Sequence, residues 1–287
     1  MEQFLQLLVN GLVAGTLLAV PAIGFTAMYA VLRFANFSVA SHATIGAFAG
    51  YVVNVHLGMP APVAVLAAFF IAGMSGVVTD ELVLRPLRPY GALTTAIASV
   101  ALTLLLENVI RFGFGNDLRG YDLPLYRDWR VFDIRIGRQQ VTNMAMALSF
   151  MTAVFVFLSF TRFGKAMRAV SDNPMLAGLK GIDVVMIGRL VNLVGMGLVG
   201  VGGILIGLDT SIDPLTGFRV ILSIFAAAVL GGLGSIPGAV LGAFAIGMAE
   251  ELSILFFEPT YRSAIGFFVI LFVLSFRSQG ILGQRME

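Results

Sequence analysis

The sequence predicts an all-α fold, an integral membrane bundle of about eight to ten spanning helices, and three observations carry that expectation. Of its 287 residues 58% are hydrophobic and only 12% charged, about half the charged share of a soluble domain. The apolar residues gather in stretches of about 20, the helix length a bilayer core requires, and such stretches recur along the chain. Small residues recur every fourth position in several of them, at Gly11/Gly15, Gly46/Gly50, Gly203/Gly207 and Gly238/Gly242. Helix backbones approach closely at such pairs, because packing rather than hydrophobicity drives association in lipid.

This composition excludes a soluble enzyme. Eighteen Lys and Arg against 16 Asp and Glu leave a net charge of +2, too balanced for nucleic acid despite a pI near 9.1. With no Cys there is no disulfide, thiolate metal site or thiol nucleophile, and two His, His42 and His56, are few for a metal centre. No cofactor is expected.

The chain opens Met1-Glu2-Gln3, acidic where a signal peptide is basic, so the stretch from Phe4 to Leu32 reads as a retained first span that Pro21 and Gly24 could split. Further spans are expected at Phe37 to Leu57, Ala61 to Thr79, Ala92 to Phe114, Val141 to Phe160, Ile187 to Leu208, Val220 to Leu233, Ala239 to Phe257 and Tyr261 to Phe276. The seventh and ninth of these are short enough to be re-entrant or tilted. The whole chain, 1–287, reads as a single transmembrane domain.

Orientation follows from the Lys and Arg excess of cytoplasmic loops. With the N-terminus outside, one set of loops holds 10 of the 18 basic residues, among them Arg33, Arg85, Arg88, Arg162, Lys165 and Arg189; that set is expected inside, as is the C-terminus. The loop over 111–140 falls outside although it holds six Arg. These alternate with Asp117, Asp122, Asp128 and Asp133 around the sole Trp, Trp129, which suggests a small folded unit with local ion pairs.

The inner connection over 161–189 differs from the rest. Asp172 or Asn173 can cap a helix, Pro174 suits its first position and Gly181 can close it in the left-handed conformation. A short helix over Pro174 to Lys180 is expected after a basic turn at Gly164 to Val170. The pair would either rest on anionic lipid or dock a cytoplasmic partner.

Polar residues within spans are costly and mostly face protein or water. In the fourth span Thr95, Ser99, Thr103, Glu107 and Arg111 recur every fourth residue along roughly 24 Å of one drifting helix face. Two readings are open: the stripe lines a polar route, or its hydroxyls bond their own helix while Glu107 pairs structurally with Arg111. Glu250 and Glu251 lie inside the eighth span, about 100° apart, so at most one faces the same cavity. Asn10, His42 and Asn192 read as interhelical hydrogen-bond formers.

Gly164-x-Ala166-x-Arg168-Ala169, Asn173-Pro174, Ala177 and Gly181-Ile182 resemble the cytoplasmic loop of permease subunits in ATP-binding-cassette importers of the branched-chain amino acid type. The resemblance extends, in order, through Leu32-Arg33-Phe34-x-Asn36-Phe37, Leu106-Glu107-Asn108, Gly200-Val201-x-Gly203 and Ala226-Ala227-Ala228-Val229-Leu230-Gly231-Gly232-Leu233-Gly234-Ser235-Ile236-Pro237-Gly238. It covers nearly the whole chain. One departure is Ser38-Val39-Ala40-Ser41-His42, where the family usually has a residue, His-Gly and an acid.

The resemblance implies a non-catalytic transport subunit in a bacterial cytoplasmic (inner) membrane. Its partners would be a second homologous permease or a copy of itself, two cytoplasmic ATP-binding subunits and an extracytoplasmic solute-binding protein. The Gly231 to Gly242 stretch has no Walker lysine, so ATP chemistry is expected on separate subunits. The loop residues Gly164, Lys165, Arg168, Asp172, Asn173, Pro174 and Gly181 would form the element that couples to the ATPase. Thr95, Ser99, Thr103, Glu107, Asn108 and Glu250 are candidate pathway residues, with Glu250 matching the family pattern. Amino acids lead as solutes, urea or short amides follow, and an ion-coupled transporter using Glu107 or Glu250 is the alternative mechanism.

Overall fold

The computed structural model describes residues 2–123, 129–131, 134–258, 261–276 and 280–282. Helix α1 (Glu2–Leu32) runs unbroken through Pro21 and Gly24, which could have split it. Both residues instead serve packing: a methyl group at Gly202 would lie 2.6 Å from the Pro21 ring, and one at Gly24 would lie 2.4 Å from the Gly195 carbonyl. A proline that seats against a facing glycine is tolerated where neighbouring helices enclose the span.

Helix α2 (Val39–Tyr51) continues into a π-turn, Val52–His56. Helix α3 (Ala61–Thr79) passes through a π-turn (Asp80–Leu84), the single turn α4 (Arg85–Leu87) and a 3-10 turn (Arg88–Tyr90). Gly91 then breaks the chain with φ of 106° before α5 (Ala92–Phe114), which ends at Gly115 with φ of 79°. A small hairpin, β1 (Trp129–Val131) and β2 (Ile134–Ile136), precedes α6 (Arg138–Phe160). There follow α7 (Arg162–Asp172), α8 (Pro174–Leu179), α9 (Val184–Asp209), α10 (Thr216–Gly231), α11 (Ile236–Ser253) and α12 (Arg262–Phe276).

Every expected span is a helix. Among the described residues six are long and apolar enough to cross a bilayer: Gln3–Leu32, Ala61–Tyr90, Ala92–Phe114, Arg138–Phe160, Val184–Asp209 and Ile236–Ser253. The α2, α10 and α12 helices are shorter, at 13, 16 and 15 residues. The α10 start precedes its expected Val220, at the end of a hydrogen-bonded turn built by Asp213 and Thr216. The Asp213 amide donates to Thr216 Oγ1 at 2.8 Å, and that hydroxyl donates back to Asp213 Oδ1 at 3.1 Å.

The centre is α9, buried along most of its length and crossed by α1, α2 and α3. Seven of the eight paired glycines sit at helix crossings, whereas Gly207 faces Ile212 and Tyr121. A methyl group at Gly203 would lie 1.9 Å from the Ala43 carbonyl, one at Gly46 2.3 Å from Gly200 Cα, and one at Gly242 2.0 Å from the Ala227 carbonyl. Gly11 and Gly15 of α1 face α11, whose Gly247 returns the contact. Helices α5 and α6, by contrast, are peripheral and present exposed large apolar side chains such as Leu93, Ile97, Phe112, Phe155 and Phe160. These suit lipid or a partner helix.

The two ends differ in chemistry. At one, Glu81 binds both Arg85 and Arg189, accepting from Arg189 at 2.8 and 2.9 Å, and Arg33 reaches the Ser171 carbonyl. At the other, Gln6 meets the hairpin backbone at Arg135, and the segment 115–123 straps across α2. In that strap Tyr121 donates to the Ala47 carbonyl at 2.8 Å, the Asp122 amide donates to Asn54, and Arg119 pairs backbone with Ile212. Burial pushes the Tyr121 hydroxyl up from its ordinary pKa, so it stays a donor. The Arg119 guanidinium donates to the Phe114 carbonyl at 2.6 Å and lies over the Tyr51 ring. The ion pairs expected with Asp128 and Asp133 lie outside the described residues.

Candidate functional site

At the basic end α7 and α8 form a short exposed pair with defined caps. Thr161 begins α7, its hydroxyl accepting from the Gly164 amide at 3.3 Å. Gly164 packs so closely that a methyl group there would lie 1.8 Å from the Leu158 carbonyl. Arg168 does not project freely: it donates to that same carbonyl at 2.8 Å, tying α7 to the last turn of α6. Met167 and Val170 are buried beneath the helix, and Phe163 stacks on Phe157.

Asp172 closes α7, and Asn173 takes the cap of α8, accepting from the Leu176 amide at 2.9 Å. Pro174 occupies the first position, where a missing N–H costs nothing. Gly181, with φ of 85°, ends the helix: its amide donates to Gly178 at 3.0 Å, and the Ile182 amide donates to Ala177 at 3.1 Å. That is the paired closure of a left-handed helix end. Lys165 is exposed, and so are the apolar side chains Met175 (78%) and Leu179 (76%). Asp183 caps α9, accepting from the Val185 and Met186 amides, a third cap in the connection that the sequence reading passed over.

The polar face of α5 is turned inward. Thr95, Ser99, Thr103 and Glu107 are all buried, whereas Asn108 is exposed on another face and donates to its own helix at Leu104. Thr95 donates to Gly91 and Ser99 to Ala96, as side chains do when they satisfy their own helix. Two members also reach across. Ser99 Oγ accepts from the Phe37 amide at 2.9 Å, and Thr103 donates to the Phe37 carbonyl at 3.0 Å. Glu107 pairs with Arg111 one turn on.

Glu250 lies elsewhere. It accepts from Ser223 on α10, and its second oxygen is 3.9 Å from Arg262, which donates to Glu251 at 2.6 Å. Glu250 lines a cavity of about 270 Å³ among α1, α9, α10, α11 and α12, with Asp209, Arg219, Ser223 and Arg262 above an apolar floor of Leu17, Leu18, Ile206 and Val220. Cavity and stripe are therefore separate features on different helices. The cavity went unseen in the sequence because its polar members are scattered over four helices, no more than two from any one. Of the isolated polar residues, His42 bonds Thr79 across to α3 at 3.3 Å and Asn192 donates to Gly76 at 2.9 Å, both interhelical. Asn10 instead accepts from Gln6 on its own helix.

A helical bundle sized for the bilayer, with ionisable groups inside and a stiff capped helix pair at one end, defines the class: a multi-pass membrane transport subunit. The comparisons with known proteins narrow this. Residues 7–274 match the family model described as branched-chain amino acid transport system / permease component. The chain is 30% identical to the high-affinity branched-chain amino acid transport system permease protein BraD of Pseudomonas aeruginosa, over 98% of this chain and 96% of that one. It is equally similar, with the same coverage, to LivH of Escherichia coli. Among solved structures, PsaBC from Streptococcus pneumoniae in complex with Fab superposes with a TM-score of 0.50 at 15% identity, covering 94% of this chain and 91% of that one, a likeness of fold. The chain belongs to the branched-chain amino acid transport permease family of ATP-binding-cassette importers.

Proposed function

We propose that this chain moves an amino acid inward across a bacterial cytoplasmic membrane while separate subunits hydrolyse ATP. It would pair with a second permease or a copy of itself, bind two cytoplasmic ATPase subunits through 161–189, and receive solute from an extracytoplasmic binding protein. The N-terminus and the 111–140 loop then lie outside, and the C-terminus inside. Branched-chain amino acids head the solute list because the similar proteins BraD and LivH carry that description.

The observation that carries the reading is the α7–α8 pair. Here Met175 and Leu179 stay exposed on a helix capped at both ends by Asn173 and Gly181, at the end where basic residues gather. A rigid knob with an apolar tip fits a cleft on a partner, and rigidity lets nucleotide-driven closure reach the spans as a rigid-body shift.

For the solute route, Thr95, Ser99, Thr103, Glu107, Asn108 and Glu250 remain the candidates. The inward burial of the α5 stripe supports its first four members, and the mixed-charge cavity supports Glu250.

The test is Met175→Asp with Leu179→Asp, measured by co-purification of the ATPase subunits. Both side chains are exposed, so the chain should insert and fold while ATPase binding is lost. Retained binding would contradict the role of the pair.

A further inference from the structure

We infer that the corner between α1 and α2, residues 33–38, relays movement of the α7–α8 pair to α5, and that Arg33 and Ser171 are positioning residues for transport. The inference rests on the reading of α7–α8 as the ATPase contact.

Helix α1 ends with the Arg33 amide donating to the Tyr29 carbonyl at 3.0 Å and Arg33 itself at φ of 58°. Among the described residues it is the sole non-glycine with positive φ. Glycine is usual at such a helix end, and a larger L-residue costs about 1 kcal/mol there. An arginine at a position that favours glycine points to a use for its side chain. That use is visible. The guanidinium donates to the Ser171 carbonyl in the last turn of α7, and the Ser171 hydroxyl donates back to the Ala30 carbonyl in the last turn of α1 at 3.0 Å. Two reciprocal bonds therefore fasten α7 to α1.

The corner then hands the connection on. Asn36 stiffens it, its side-chain oxygen accepting from the Ser38 amide at 3.1 Å and the Ser38 hydroxyl at 2.7 Å. Both backbone groups of Phe37 are held by α5, through Ser99 and Thr103. The Phe37 ring also stacks on Phe225 of α10, with centroids 5.0 Å apart.

Helix α5 is suited to move as a unit. It lies between Gly91 and Gly115, both at positive φ and each with open space where a Cβ would stand, and its outer face carries exposed side chains. Such glycines are natural hinges. A pull on Ser171 would thus tilt a helix whose buried face holds four of the candidate pathway residues. The Arg168 bond leads to the peripheral α6, and the packing of α7 and α8 on α9 leads to the central helix rather than to the polar face of α5.

The experiment uses the full importer, chain plus partner permease, ATPase subunits and binding protein, in proteoliposomes, with leucine as the probe solute. The readout is leucine taken up per ATP hydrolysed. Arg33→Gly keeps the left-handed corner without strain and removes the tie. It should assemble and hydrolyse ATP at the basal rate, with uptake per ATP down about tenfold, within the usual range of coupling between sites. Arg33→Lys keeps a donor and should recover most of the loss; Ser171→Ala should lower the ratio about threefold. An unchanged ratio in Arg33→Gly, or an equal fall in Arg33→Lys, overturns the relay. Should Arg33→Gly fail to assemble, Ser171→Ala decides, because it removes one hydroxyl from a half-buried site. Failure of the underlying reading is separately visible, as wild-type uptake that proceeds without ATPase subunits.

Discussion

Where α9 crosses α2, Gly203 meets the Ala43 carbonyl and Gly46 meets Gly200, backbone on backbone with no side chain between. Where α7 meets α1, the joint is made of side chains laid on carbonyls, Arg33 on Ser171 and Ser171 on Ala30. The first kind of contact has no slack, because any added atom collides with main chain. The second kind can be lengthened or released one bond at a time. The centre is thus built to stay one body and the basic end to transmit force into it.

Breaking the centre should have the largest effect. Gly203→Leu forces a side chain into the Ala43 carbonyl and should cost about 3 kcal/mol or more, read as loss of monodisperse protein on detergent extraction. Recovery of normal yield would mean the crossing has slack after all. Next comes the joint at Gly164. Gly164→Val should leave the bundle extractable yet lever α7 off α6, cutting the stimulation of ATP hydrolysis by loaded binding protein about tenfold. Thr103→Val tests whether α5 belongs with the centre or the moving parts: leucine uptake should slow about fivefold at unchanged assembly, the worth of about 1 kcal/mol. Equal loss of assembly would assign Thr103 to packing alone.

Smaller effects sharpen the same contrast. Asn192→Leu removes one interhelical bond within a buried interface and should lower thermal stability by about 0.6 kcal/mol, the average for such bonds in membranes. Asn108→Ala, which loses a bond to its own helix on an exposed face, should leave stability unchanged and slow uptake only slightly, less than Thr103→Val does. A clear uptake defect there would place the solute route on the outer face of α5, between this chain and its permease partner.

The helices themselves were legible because lipid leaves little choice: an apolar run of sufficient length must satisfy its backbone internally. The caps at Asn173 and Gly181 were equally readable, since local chemistry decides them. Pro21 misled because its effect depends on what faces it, and Gly202 is far away in the chain. The intramolecular bond of Arg168 was hidden for the same reason. Its charge suggested a partner outside the chain, and one of its donors is also held by the Leu158 carbonyl. The cavity around Glu250 and the Arg33–Ser171 latch join residues from distant segments, and no local pattern announces them.

The central claim is that the exposed α7–α8 knob faces the cytoplasm and is gripped there by an ATPase. The chain has no Cys, so Met175→Cys supplies a single thiol on that knob. The measurement is labelling of this thiol by a membrane-impermeant maleimide in membrane vesicles of both orientations, with and without the ATPase subunits. Labelling confined to inside-out vesicles and blocked by the ATPase is the expected result; labelling from the outer face, or labelling indifferent to the ATPase, would contradict the account.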